Sequence, residues 1–170
     1  RFPQGPTHPV VGVNQADAKA FCEWLTKRER AAGRLGPDQS YRLPTDAEWD
    51  VAVGKGEFPW GNQWPPPRGA GNYADEAAKR GRYKNWEFIS GYDDGYDATA
   101  PVGSFAANQH GLYDMGGNVW EYVDDRAHGM RGASFIYSDR GSLASSRRYA
   151  YYYRHVNIGF RVVCAVESAR

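Results

Sequence analysis

Only two cysteines occur in 170 residues, Cys22 and Cys164, far apart and each in an apolar setting. That excludes the dense disulfide framework of small secreted domains, and two buried free thiols are the expectation. No apolar run approaches the roughly 18 residues of a membrane span, and the opening RFPQGPTHPVVGV has no signal-peptide apolar region. Charge of one sign is not in excess either: 21 Lys and Arg against 20 Asp and Glu leave a formal net charge of +1, so a basic footprint for nucleic acid is missing. There is no Gly-x-Ser-x-Gly elbow, no phosphate-cradling glycine loop followed by Lys, and no paired-carboxylate signature. His8, His110, His128 and His155 are scattered singletons rather than a ligand cluster.

What the chain does have is a folded composition. With 41% hydrophobic and 15% aromatic residues it fits a single domain over residues 1–170. Val10 to Val13 reads as a strand. Asn14 then caps a helix to about Arg30, with Ala16, Ala20, Phe21, Trp24 and Leu25 at helical spacing and therefore facing inward. Gly33 to Ser40 is a linker and Tyr41 to Pro44 a short extended piece. Thr45 opens a second helix as a Thr-x-x-Glu capping box with Glu48, and Ala47, Trp49, Val51 and Ala52 supply packing.

From Gly54 to Ala100 the chain reads as loop, rich in Gly, Pro, Asn and Asp. So long a loop needs something to hold it. Trp60, Trp64, Tyr73, Trp86, Phe88 and Tyr92 are candidate aromatic pegs, and Asn72, Asp93, Asp94 and Asp97 candidate calcium ligands, since Ca²⁺ accepts carboxylate, amide and main-chain oxygens together. Farther on, GLYDMGGNVWEY (Gly111 to Tyr122) sets Asp114 and Glu121 around paired glycines that permit positive φ, a pattern for a rigid oxygen-lined loop pinned by Trp120. Asp124-Asp125 caps that loop or faces water.

HPVVGVNQADAKAFCEWL, YRLPTDAEWDVAV, PWGN, APVGSFAANQHGLYDMGGNVWEY, RGASF and IGFRVV occur in the order and spacing of the formylglycine-generating enzyme, or sulfatase-modifying-factor, family. The chain resembles the later two-thirds of that family's domain, without its N-terminal portion. The resemblance implies an irregular α+β fold of the C-type lectin kind, with two helices, short antiparallel strands and bound calcium. It carries one calcium site onto the Asn72 side chain, the Tyr73 carbonyl, Asp94 and the Tyr96 carbonyl, and a second onto Asp114, the Gly117 and Val119 carbonyls and Glu121. The family's oxidising enzymes hold copper on two cysteines spaced five apart. Here Tyr137 and Ser142 stand at those places, and neither replaces a soft thiolate, so the formylglycine-generating reaction is not expected. A family branch with an iron-binding helical domain makes carbon–sulfur bonds. An oxidase or sulfoxide-synthase role is therefore the alternative reading.

Between Ile136 and Asn157 the family pattern gives way to IYSDRGSLASSRRYAYYYRHVN. Tyrosine offers large amphipathic contact area with few rotatable bonds, serine and glycine adapt, and arginine supplies charged forks, as in a paratope. The run contains no Lys, Glu, Gln, Trp or Met, the five types unreachable when AAC or AAT codons are randomised at their first two bases. Residues 134–160 thus look like the variable region of a diversity-generating-retroelement target protein. The expectation is a non-catalytic, monomeric module that binds a protein or other macromolecule through Tyr137, Ser138, Asp139, Arg148, Tyr149, Tyr151, Tyr153 and His155. Strand alternation would expose only some of the tyrosines.

Overall fold

A computed structural model describes residues 2–125, 127 and 129–166; His128 lies outside the described residues. The fold is α+β and loop-rich. Helix α1 (Gln15–Ala31) is followed by strand β1 (Gln39–Arg42), α2 (Asp46–Val53), α3 (Glu76–Arg80), β2 (Trp120–Tyr122), β3 (Gly129–Arg131), α4 (Arg140–Leu143), β4 (Tyr149–Ala150), β5 (Ile158–Phe160) and β6 (Val163–Val166).

α1 begins where its cap predicts. The Asn14 side chain accepts from the Asp17 amide, and the Asp17 carboxylate accepts from the Asn14 amide. The buried stripe is rotated from the expected one: Gln15, Ala18, Cys22 and Thr26 face inward, while Phe21 and Trp24 are 41% and 51% exposed. Polar anchoring decides the rotation. The Gln15 amide donates to the Val123 and Asp125 carbonyls, and the Thr26 hydroxyl accepts from the Tyr41 amide at 2.8 Å, locking α1 under β1. Val10 to Val13 is not a strand. Its Gly12 amide instead donates to the His155 carbonyl at 3.0 Å.

α2 carries its capping box as expected, and the Glu48 carboxylate is also gripped by Arg42 at 2.6 and 2.7 Å. It buries Trp49 and Val53 but leaves Val51 72% exposed, because eight residues present one narrow face. The loop from Gly54 onward holds one short helix that its composition conceals. Asp75 caps α3, accepting from the Ala77 and Ala78 amides. Of the aromatic pegs, Tyr73 and Tyr92 are buried, Trp60 and Trp64 pack against the core, Phe88 lies under the Lys79 ammonium, and Trp86 stays at the surface stacked on Tyr83.

β4, β3, β2 and β5 form a sheet in that order. β2 pairs antiparallel with β3 (Glu121 opposite Arg131) and parallel with β5 (Glu121 opposite Gly159). β1 and β6 form a separate antiparallel pair, Tyr41 opposite Cys164. β2 is buried along its length. Its Trp120 and Tyr122 join Met130, Phe58, Tyr73 and Ile158 in the main core, with Trp49, Val53, Met115 and Val123 as a second cluster. Cys22 is buried as expected. Cys164 is exposed, because β6 alternates and Cys164 falls on its outer side; both thiols are free. No described helix is long and apolar enough to cross a membrane.

Candidate functional site

The tyrosine-rich segment leaves the sheet through β4, which is only two residues long and lies at its edge. Strand alternation therefore ends at Ala150, and the tyrosines after it sort by local packing. Tyr149 is 40%, Tyr152 63% and Tyr153 72% exposed. Tyr151 is half-buried against the core, with Tyr153 edge-on at 5.8 Å and His155 at 6.2 Å between ring centres. Beneath them sits Trp120, covered by the Tyr149 ring at 5.8 Å and met edge-on by Tyr137 at 5.6 Å. Tyr152, with no place in the expected set, belongs to this exposed group. The two-residue length of β4 is what hides it from a strand-alternation reading.

The remaining candidates are tied to the scaffold. Tyr137 packs on the core, and its carbonyl accepts from the Ala74 amide. Ser138 is half-buried beside it. Asp139 caps α4, its carboxylate accepting from the Ser142 amide at 2.8 Å and held below the usual carboxylate range: burial pulls upward, but the Ser142 bonds outweigh it. Arg148 donates to Asp46 and Asp50 on α2 at 2.7 and 2.8 Å. Those carboxylates also hold Arg131, which is fully buried on β3 and donates to Asp46, to Asp50 at 2.5 Å and to the Ser145 carbonyl at 2.8 Å. This four-member charge cluster joins residues 81 to 102 positions apart, which no local motif announces.

The expected calcium donors fall in two places. Asn72 is fully buried, its amide donating to the Ala98 carbonyl at 2.7 Å while its Oδ1 has no partner. Asp94 accepts from the Tyr73 and Tyr96 amides, both at 2.8 Å, and burial with the neighbouring Asp75 carboxylate pushes its pKa well up. Asp93 and Asp97 instead pair with Arg80 and Arg82. In the second place, Asp114 sits at φ 54° with Oδ2 accepting from the Gly103 amide and a buried, unpartnered Oδ1. Glu121 is buried and gripped by Arg161, which also donates to the Asp114 carbonyl at 2.9 Å. Burial raises both the Asp114 and Glu121 pKa values, and Arg161 opposes the rise. Gly117, at φ +80°, brings the loop onto the first set: a Cβ there would lie 2.4 Å from the Asn72 carbonyl oxygen. Two buried oxygens without partners suit an oxygen-seeking cation.

Copper does not fit the positions its cysteines hold in the resembling enzymes. Tyr137 turns its ring onto Trp120, and Ser142 lies in α4 with its amide bonded to Asp139. A phenol and an alcohol are hard oxygen donors, unsuited to Cu(I). Among the described residues no three His, Cys, Asp or Glu side chains gather as a metal-binding group.

Residues 1–166 match the sulfatase-modifying factor enzyme 1-like domain. The formylglycine-generating enzyme of Thermomonospora curvata is 38% identical over 130 residues, covering 71% of this chain and 34% of the relative. Among solved structures, PvdO from Pseudomonas aeruginosa superposes with a TM-score of 0.71 at 27% identity, over 96% of this chain and 64% of the other. Treponema denticola variable protein 1 also superposes at 0.71, with 19% identity, over 94% of this chain and 72% of that one. The chain spans about a third of the length of the Thermomonospora relative.

Proposed function

The chain belongs to the sulfatase-modifying factor enzyme 1-like family, and from that premise we propose that it is a non-catalytic ligand-binding module displaying a variable Tyr, Ser and Arg surface on a lectin-type scaffold. The observation that carries this reading is the exposure of Tyr149, Tyr152 and Tyr153 within five residues, at the edge of a sheet whose central strand is buried. Large amphipathic rings kept at the surface in such density cost the fold apolar exposure, which only the Tyr149 ring offsets by covering Trp120. They suit recognition of a protein or other macromolecule. The shared fold of the Treponema variable protein supports the scaffold part of this reading.

Calcium is the proposed structural ion. Asn72 and Asp94 with the Tyr73 and Tyr96 carbonyls would hold one ion, and Asp114 and Glu121 with the Gly117 and Val119 carbonyls a second, supplying positive charge to the partnerless Asn72 Oδ1 and Asp114 Oδ1 respectively. The missing thiolates argue against the oxidase alternative.

The test is affinity capture with the chain beside its Tyr152→Ser, Tyr153→Ser variant. A macromolecule retained by the former, and released by the latter at an unchanged melting temperature, supports the reading. Oxygen-dependent turnover of a cysteine peptide by the copper-treated chain overturns it.

A further inference from the structure

Away from the tyrosine face, a cleft of about 390 Å³ opens between the turn at residues 54–61 and the loop at residues 106–116. That is within the range of small-molecule sites. The Phe58–Gly61 turn separates the two regions: the Glu57 carbonyl accepts from the Ser145 amide on one side, and Trp60, stacked on Phe58 at 4.7 Å, lines the cleft on the other. Two cations, Lys55 and Arg68, stand exposed in the lining, and neither makes an ion pair among the described residues. The neighbouring carboxylate, Glu57, is committed to Arg140 at 2.6 Å. Asp114, the one carboxylate in the lining, turns Oδ2 to the Gly103 amide at 2.7 Å.

The walls are fixed. Asn108 is tied into its loop, donating to the Ala52 carbonyl at 2.7 Å and accepting from the His110 and Leu112 amides. The floor is bare backbone at Gly116, where a Cβ would strike Pro59 Cγ at 2.5 Å and Tyr73 Oη at 2.7 Å. The Tyr73 hydroxyl beneath it is fully buried and without a partner. A preformed hollow with an indole wall, apolar side chains such as Leu112 and Met115, and two unpaired cations selects a small, flat molecule bearing one negative charge.

We propose that this cleft binds a small aromatic carboxylate, its ring against Trp60 and its carboxylate toward Lys55 and Arg68, independently of whatever the tyrosine face recognises. Indole-3-acetate is the probe, with tryptophol (the ring without the charge) and acetate (the charge without the ring) as controls. Titration is followed by calorimetry and by backbone amide NMR of the whole chain. The expected result is saturable indole-3-acetate binding that perturbs the amides of Gly54, Gly61, Gly69 and Gln109. Tryptophol, acetate and the Lys55→Glu, Arg68→Glu variant should each bind about tenfold more weakly or worse. Both substituted side chains are exposed, so the variant should retain the parent's melting temperature. No saturable binding, perturbations confined to other amides, or affinity indifferent to the charge reversal would each overturn the proposal.

Discussion

The ring of Tyr149 lies over the indole of Trp120, centres 5.8 Å apart and planes inclined by 25°. Tyr149 is 40% exposed and Trp120 only 2%, so one ring is both lid to the core and part of the surface. Tyr149→Ala should therefore cost about 0.5–1.5 kcal/mol beyond its lost area. Tyr152→Ala and Tyr153→Ala should stay within about 0.5 kcal/mol of the parent. Urea denaturation of the three variants separates the cases, and equal losses at all three would contradict this division.

Arg131 and Arg148 share Asp46 and Asp50 but differ in burial: the Arg131 side chain is 0% exposed and that of Arg148 49%. Removing both carboxylates (Asp46→Asn, Asp50→Asn) strands a buried guanidinium and should cost about 3–5 kcal/mol. Arg148→Ala should cost about 1 kcal/mol or less. Residue 148 can thus be exchanged at little cost while Arg131 keeps the cluster. Chemical denaturation checks the ratio; a larger loss for Arg148→Ala would reverse the assignment.

The bond from Arg42 holds the Glu48 carboxyl down at about 2, burial pulling the other way and the Thr45 amide adding to the depression. A depressed folded-state value means stabilisation that is full above the unfolded value of about 4.3 and is lost as pH falls toward 2. Glu48→Gln should flatten the acid limb of a melting-temperature profile between about pH 4.5 and 2 while lowering stability at neutral pH. An unchanged acid limb would show that the pair contributes nothing.

Calcium at the proposed donors should raise the melting temperature, by a free energy of about 2.7 kcal/mol when free ion is a hundredfold above its dissociation constant. Burial beside the Asp75 carboxylate pushes the Asp94 carboxyl up to about 8, so protons compete with the ion there and affinity should fall as pH drops from 8 to 6. Asn72→Ala and Asp114→Ala should each blunt the calcium-dependent shift. A melting temperature indifferent to both calcium and chelator would remove calcium from the account.

Local chemistry was legible in the sequence and long-range geometry was not. The Asn14 cap and the Thr45–Glu48 capping box are satisfied within three residues and read directly, whereas the reciprocal bond from the Asn14 amide to Asp17 was seen only in the fold. The inward face of α1 was misread because hydrophobicity points to Phe21 and Trp24, whereas Gln15 and Thr26 are drawn in by carbonyls and amides that only the fold supplies. The Gly54–Ala100 loop concealed α3 because its cap is a single Asp75 and its length five residues. The missing copper thiolates are visible at Tyr137 and Ser142 without any structure. The tyrosine segment was recognisable as a surface, but membership within it turned on where β4 stops, which put Tyr152 outside and Tyr153 beside Tyr151.

The central claim is that a rigid support carries a surface its stability does not need. Protease resistance of every single substitution across residues 136–157 tests it without knowledge of any ligand. The account predicts that Tyr152 and Tyr153 tolerate nearly all replacements, whereas Leu143 and Asn157, 2% and 3% exposed, tolerate few. Intolerance at Tyr152 and Tyr153 equal to that at Leu143 would make the tyrosines part of the fold and contradict the account.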